Sequence, residues 1–134
     1  MVRILYYVAA ATTAIAGIIH LTLVPNSLGF NINTAILFLV GGLAQLFWVI
    51  PTIRRWGPVW YCVGMGGTAV FIAIWLVTRM PDNMITGRAG SVSQNGMIVE
   101  VMQAAFIALQ MAMFVYEKMK KDKTNNITDA TLTQ

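Results

Sequence analysis

Hydrophobic residues run almost without interruption through four segments of the chain. These segments are residues 4–24, 32–53, 59–78 and 97–116. Each is about 20 residues long, which at a rise of about 1.5 Å per residue matches the roughly 30 Å hydrocarbon core of a bilayer. A membrane β-barrel would instead show shorter stretches of alternating polarity. The pattern therefore predicts four transmembrane helices.

Turn-forming residues separate the four segments. Proline, asparagine and glycine residues follow the first segment within residues 25–29, Arg-Arg-Trp-Gly-Pro joins the second to the third at 54–58, and Pro81 follows the third. Short connections favour antiparallel neighbours. We therefore expect an all-α, up-down antiparallel four-helix bundle over residues 1–118. Residues 119–134 lack hydrophobic periodicity, and we expect them to form a polar, disordered tail.

Composition excludes an ordinary soluble domain. Hydrophobic residues make up 57% of the chain and charged residues only 10%, against roughly 25% charged in soluble proteins. No charged residue occurs within residues 4–53. The lipid bilayer is therefore the expected environment, and nucleic acid is not an expected partner.

Basic residues near the ends of the spans predict the orientation, because they concentrate on the cytoplasmic side. With a cytoplasmic N-terminus, Arg3, Arg54, Arg55 and the four lysines within residues 118–123 lie inside, while Arg79 and Arg88 lie outside. We therefore expect a multi-pass protein of the cell membrane with both termini cytoplasmic.

Ionisable and amide side chains well within the spans are few, and each needs a partner because hydrocarbon offers none. They are His20, Gln45, Glu100, Gln103 and Gln110. Gln45 and Gln110 lie at similar depths when residues are counted along their spans. We expect an interhelical hydrogen bond between these two amides, which would act simply to hold the helices together.

A second group lies closer to the predicted outer face. His20 and Glu100 are within about 6 Å of the outer ends of their spans, Arg79 follows the third span, and Gln103 shares a helix face with Glu100. These four residues form the candidate polar or ligand site. The simpler interpretation is a structural cluster that fixes helix register, with Arg79 neutralising Glu100.

Catalytic and metal-binding motifs are missing from the sequence. The chain has one histidine and one cysteine, too few for a three-histidine metal site or a Cys-x-x-Cys redox pair. We therefore predict no catalytic residues, no metal and no cofactor, and we leave the question of enzymatic activity open with a non-enzymatic role favoured. Because thioether sulfur suits Cu(I), the nine methionines leave copper near His20 as an alternative.

Several short patterns resemble a family of small, largely uncharacterised prokaryotic four-helix membrane proteins. The matching features are Ala-Gly-Ile-Ile-His-Leu at 16–21 with Pro25, Ala-Gln-Leu at 44–46 with Phe38 and Trp48, Trp75-x-x-x-Arg79 before a proline, and Glu100 in the last span. Two features differ: Asn26 and Ser27 stand where members often carry a second histidine, and Thr68 where they carry an asparagine. The resemblance implies the same fold and supports His20, Gln45, Arg79 and Glu100 as a cluster, without implying an activity.

Two functions fit these observations. The first is an accessory subunit or binding module whose polar cluster lies near the outer face, with other membrane subunits or a second copy as partners. A copper-dependent monooxygenase is one assembly of this kind, although no motif points to it. The alternative is a small proton- or cation-coupled transporter of the four-helix type that uses Glu100. The shallow position of Glu100 favours the first function.

Overall fold

The computed structural model describes residues 2–132, which form four α-helices joined by short connections and one longer loop. The helices are α1 (Val2–Leu28), α2 (Ile32–Arg54), α3 (Pro58–Val77) and α4 (Gln94–Leu132). All four are long and apolar enough to cross a membrane. The prediction of an all-helical chain with four potential spans is confirmed.

Two helix ends differ from the prediction. Helix α1 continues through Pro25 to Leu28, which places His20 about 12 Å from the end of its helix rather than 6 Å. Helix α4 continues to Leu132, through most of the segment expected to be disordered. Glu117 and Lys121 are one turn apart, a spacing that favours helix in this order. Residues 133 and 134 of the predicted tail lie outside the described residues.

Helices α1 and α2 pack closely through glycine. An added Cβ at Gly42 would lie 2.8 Å from the Leu21 side chain and 3.0 Å from the carbonyl oxygen of Gly17. An added Cβ at Gly17 would lie 3.0 Å from the carbonyl oxygen of Gly42. Small residues let membrane helices approach until their backbones touch, which gains van der Waals contact. The two helices are therefore held at a fixed register.

The buried face of α4 has a seven-residue repeat. Its buried residues, with a half-buried glutamate at the end, are spaced alternately by three and four positions: Gly96, Val99, Gln103, Phe106, Gln110, Met113 and Glu117. This spacing keeps one stripe of a helix turned toward its neighbours, here α1 and α3. Apolar residues occupy every second position of the stripe. Gln103, Gln110 and Glu117 occupy the positions between them and recur every seven residues.

Helices α2 and α3 make the least extensive contact among the adjacent helix pairs. The Trp48 indole lies directly against Gly64, and the Trp48 and Trp60 rings are 6.0 Å apart. Further along, the Phe71 side chain extends toward α2 and would contact a Cβ on Gly41 at 3.6 Å. Between the Trp48–Gly64 contact and the Arg79 end of the bundle, α2 and α3 are therefore held apart by side chains such as Phe71.

The close contact at Gly42 gives a stability prediction. We expect Gly42→Ala to destabilise the protein by about 1–3 kcal/mol, because the methyl group overpacks a tight contact. Gly66→Ala is the matched control, since a Cβ there meets no atom within 4 Å. Thermal unfolding in detergent measures both. A Gly42→Ala variant as stable as the Gly66→Ala variant would contradict the close packing of α1 and α2.

Candidate binding cavity at the Arg79 end of the bundle

The end of the bundle next to the α3–α4 loop contains a cavity of about 540 Å³. All four helices and the loop contribute to its wall. Apolar lining comes from Leu23, Leu37, Phe38, Phe71 and Ile74, and polar lining includes His20, Asn31, Thr78, Arg79, Arg88 and Glu100. Small-molecule sites commonly span roughly 300–1,000 Å³ and combine an apolar wall with a few placed polar groups. The cavity has both properties.

Three of the four predicted site residues line this cavity, namely His20, Arg79 and Glu100. Gln103 is not part of the lining. Its side chain is 1% exposed, and neither its amide nitrogen nor its amide oxygen has a hydrogen-bond partner within the described residues. The depths of these residues along their spans thus predicted that the three ionisable side chains lie together. They did not predict the buried environment of Gln103.

The His20 ring is oriented by two oxygen atoms. Its Nδ1 lies 3.1 Å from the carbonyl oxygen of Ala16 and 3.0 Å from Oε1 of Gln45. A carbonyl oxygen can only accept, so Nδ1 carries the proton in the neutral ring and Nε2 carries the lone pair. The ring also packs against Phe38, with centroids 5.5 Å apart. His20 therefore supplies a hydrogen-bond acceptor at the cavity wall.

The predicted hydrogen bond between Gln45 and Gln110 is replaced by two others. Gln45 pairs with His20, and the Gln110 amide donates to Oγ1 of Thr52 at 3.0 Å. Helix α2 packs along α1, so the nearest partner of Gln45 is on α1 rather than on α4. The extension of α1 to Leu28 also brings His20 to the level of Gln45. The depth of Gln45 and Gln110 along their spans did not specify which neighbouring helix each side chain faces.

Arg79 stacks on Trp75 and does not bond directly to Glu100. The guanidinium carbon lies 4.8 Å from the centre of the Trp75 ring, a cation–π distance. No hydrogen bond or ion pair joins Arg79 to Glu100 in the described part of the chain, and Nε of Arg79 is buried without a partner. Burial lowers the pKa of Arg79, and the charge of Glu100 acts in the opposite direction. The direct pairing of Arg79 with Glu100 is therefore not formed among the described residues, and the two groups interact only at longer range.

The loop that covers the cavity is organised by Asn83. This side chain is 7% exposed and makes five hydrogen bonds to residues 80–88. The loop is also attached to α2, because Asn31 donates to the carbonyl of Thr86 and Asn33 to that of Ile85. The sequence indicated only a turn here. An asparagine that serves as both donor and acceptor explains how the loop holds one conformation.

A second polar cluster, at the other end of the bundle, was not predicted. The hydroxyls of Tyr6 and Tyr61 both donate to Oε1 of Glu117, at 2.7 and 2.9 Å, and both tyrosines are almost fully buried. The Arg55 guanidinium lies 4.3 Å from the centre of the Tyr6 ring. Glu117 lies next to the lysines at the end of the last predicted span, a position typical of a solvated helix end. Its spacing of seven residues from Gln110 was the available signal that it faces inward.

Comparisons with protein-family models, curated proteins and solved structures found no match to the chain. The family resemblance based on short patterns therefore stays a prediction. The geometry of the cavity is accordingly the basis for proposing a function.

The oxygen atoms around Nδ1 predict the tautomer of His20. Because His20 is the sole histidine, ¹⁵N-histidine labelling gives a single imidazole spectrum. At a pH where the ring is neutral, we expect Nδ1 to be the protonated nitrogen and Nε2 the unprotonated one. Gln45→Leu should weaken this preference, although the Ala16 carbonyl remains. A neutral ring protonated at Nε2 in the unmodified protein would contradict the assignment.

Proposed function

We propose that the chain is a multi-pass membrane protein with antiparallel helices, both termini in the cytoplasm and the Arg79 end outside. The distribution of basic residues supports this orientation. The antiparallel arrangement is supported by the contact of Tyr6, near the start of α1, with Glu117, late in α4. It is further supported by the contact of Asn33, at the start of α2, with the loop after α3.

We propose that the protein is a membrane binding module for a small amphiphilic molecule held in the cavity. The observation that carries this proposal is the placement of His20, Arg79 and Glu100 in one cavity with an aromatic and aliphatic wall. An amphiphile matches both parts, since its polar group meets the charged residues and its apolar body meets Phe38 and Phe71. The same role suits a small subunit of a larger membrane assembly.

A proton- or cation-coupled transporter is the second candidate, because Glu100 lines the cavity. A transporter needs access to its site from both sides of the membrane in turn. The Tyr6 end is filled by the hydrogen-bonded tyrosines and Glu117, and by Phe106 and Met113, which are 1% and 0% exposed. This tight packing makes the binding module the better-supported function.

A bulky side chain at the cavity wall tests the binding function. Ala89 lines the cavity from the loop and is solvent-exposed, so Ala89→Trp should block the cavity without disturbing the core. Leu39→Trp is the control, because Leu39 is 43% exposed on a helix surface. The measurement is native mass spectrometry of protein purified in mild detergent, followed by chemical identification of bound molecules.

We expect one amphiphile per chain in the unmodified protein and in Leu39→Trp, and little or none in Ala89→Trp. Equal occupancy in all three proteins would contradict binding in this cavity. Failure to detect a bound molecule, even after small amphiphiles are added, would contradict a binding function altogether.

A further inference from the structure

Two side chains of the cavity lining carry buried hydrogen-bond donors that lack an acceptor. These donors indicate which chemical groups a ligand of the cavity would carry. Nε of Arg79 and Nε1 of Trp75 are both buried without a partner among the described residues. Neither group can accept a hydrogen bond. Buried donors are usually paired, because leaving one unpaired costs free energy. A ligand oxygen next to either donor would supply the missing acceptor.

Two glycines lie directly against the side chains that carry these donors. A Cβ on Gly96 would lie 3.3 Å from Nε1 of Trp75, and a Cβ on Gly90 would collide with Nη1 of Arg79. The guanidinium carbon of Arg79 lies 4.8 Å from the centre of the Trp75 ring, so the two side chains stack on each other. The absence of a side chain at Gly90 and Gly96 thus lets the loop and the start of α4 pack directly against the guanidinium and the indole.

The charge of the lining also favours an anion. Arg79 and Arg88 each contribute a positive charge, and among the described residues Glu100 is the single acidic side chain of the lining. Glu100 and Nε2 of His20 present acceptor atoms, which would repel a second negative oxygen. The lining therefore complements one negative charge better than two.

We propose that the ligand of the cavity carries a singly charged oxyanion headgroup that binds Arg79 and the indole N–H of Trp75. Its apolar body packs against Phe38 and Phe71. This inference rests on the proposed binding function and specifies its ligand class. A fatty carboxylate and the phosphodiester of an anionic lipid share this chemistry.

Four probes test the headgroup by native mass spectrometry in a neutral maltoside detergent. They are dodecanoate, phosphatidylglycerol, dodecanol and dodecyl phosphate, titrated at pH 8, where a phosphate monoester carries two charges. We expect saturable binding of one dodecanoate or one phosphatidylglycerol per chain, and the tighter of the two indicates the source. Dodecanol should bind at least about tenfold more weakly, since charge-assisted hydrogen bonds are the stronger ones. Dodecyl phosphate should also bind more weakly than dodecanoate.

Variants connect the binding to the named residues. Arg79→Gln and Trp75→Phe should each weaken dodecanoate binding by about tenfold and leave dodecanol binding unchanged. Arg79→Lys should give an intermediate loss, because it keeps the charge but lacks the Nε donor. Arg3→Gln is the matched control, since Arg3 is exposed at the opposite end of α1. Circular dichroism verifies that each variant keeps its helical content.

The results with these probes and variants distinguish the oxyanion headgroup assignment from the proposed binding function. Dodecanol that binds as tightly as dodecanoate, with no effect of Arg79→Gln, would overturn the headgroup assignment and leave a binding cavity for neutral amphiphiles. Dodecyl phosphate that binds as tightly as dodecanoate would overturn the preference for a single charge. Failure of all four probes to bind would overturn both the headgroup assignment and the binding function.

Discussion

A polar side chain within a membrane-spanning helix has no water to bond with, so its partner must come from the other helices or from a ligand. Helix α4 carries three such side chains seven residues apart. The number of their side-chain hydrogen bonds falls from Glu117 toward Gln103, that is, toward the start of the helix. Glu117 accepts two hydroxyl hydrogen bonds, Gln110 makes one bond to Thr52, and Gln103 makes none within the described residues. The Glu117 end contains the buried residues Phe106 and Met113. At the other end, Gln103 lies one turn from Glu100, which lines the cavity.

The other helices also differ in their contacts between the two ends of the bundle. Near the Tyr6 end, Trp48 crosses α3 directly at Gly64, and Tyr61 brings α3 into the hydrogen bonds around Glu117. Toward the Arg79 end, the space between the helices contains Phe38, Phe71 and the charged residues of the cavity. The loop held by Asn83 covers this end. A cavity that lies at one end of a bundle and is covered by a loop is suited to holding a small molecule.

Sequence patterns predicted the features that depend on hydrophobicity and on distance along a helix. The four helices and the meeting of His20, Arg79 and Glu100 at one end follow from span length and depth. The partners of Gln45 and Gln110 did not follow, because depth does not specify which neighbouring helix a side chain faces. The Glu117 cluster was missed because a charged residue beside lysines resembles a solvated helix end. The conformation of the loop depends on one asparagine side chain, which sequence reasoning treated as part of a turn.

Aqueous access to two positions of α3, one at the cavity wall and one on the exposed helix surface, provides the most direct test of a membrane-embedded bundle with an open outer cavity. Ile74 is half-buried at the cavity wall, whereas Val70, one turn earlier, is 57% exposed and would face lipid. In a Cys62→Ala background, each is replaced by cysteine and treated in intact cells with a membrane-impermeant thiol reagent. We expect Ile74→Cys to react and the more exposed Val70→Cys to remain unlabelled. Faster labelling of Val70→Cys, or labelling of Ile74→Cys only after the cells are opened, would contradict the proposed arrangement.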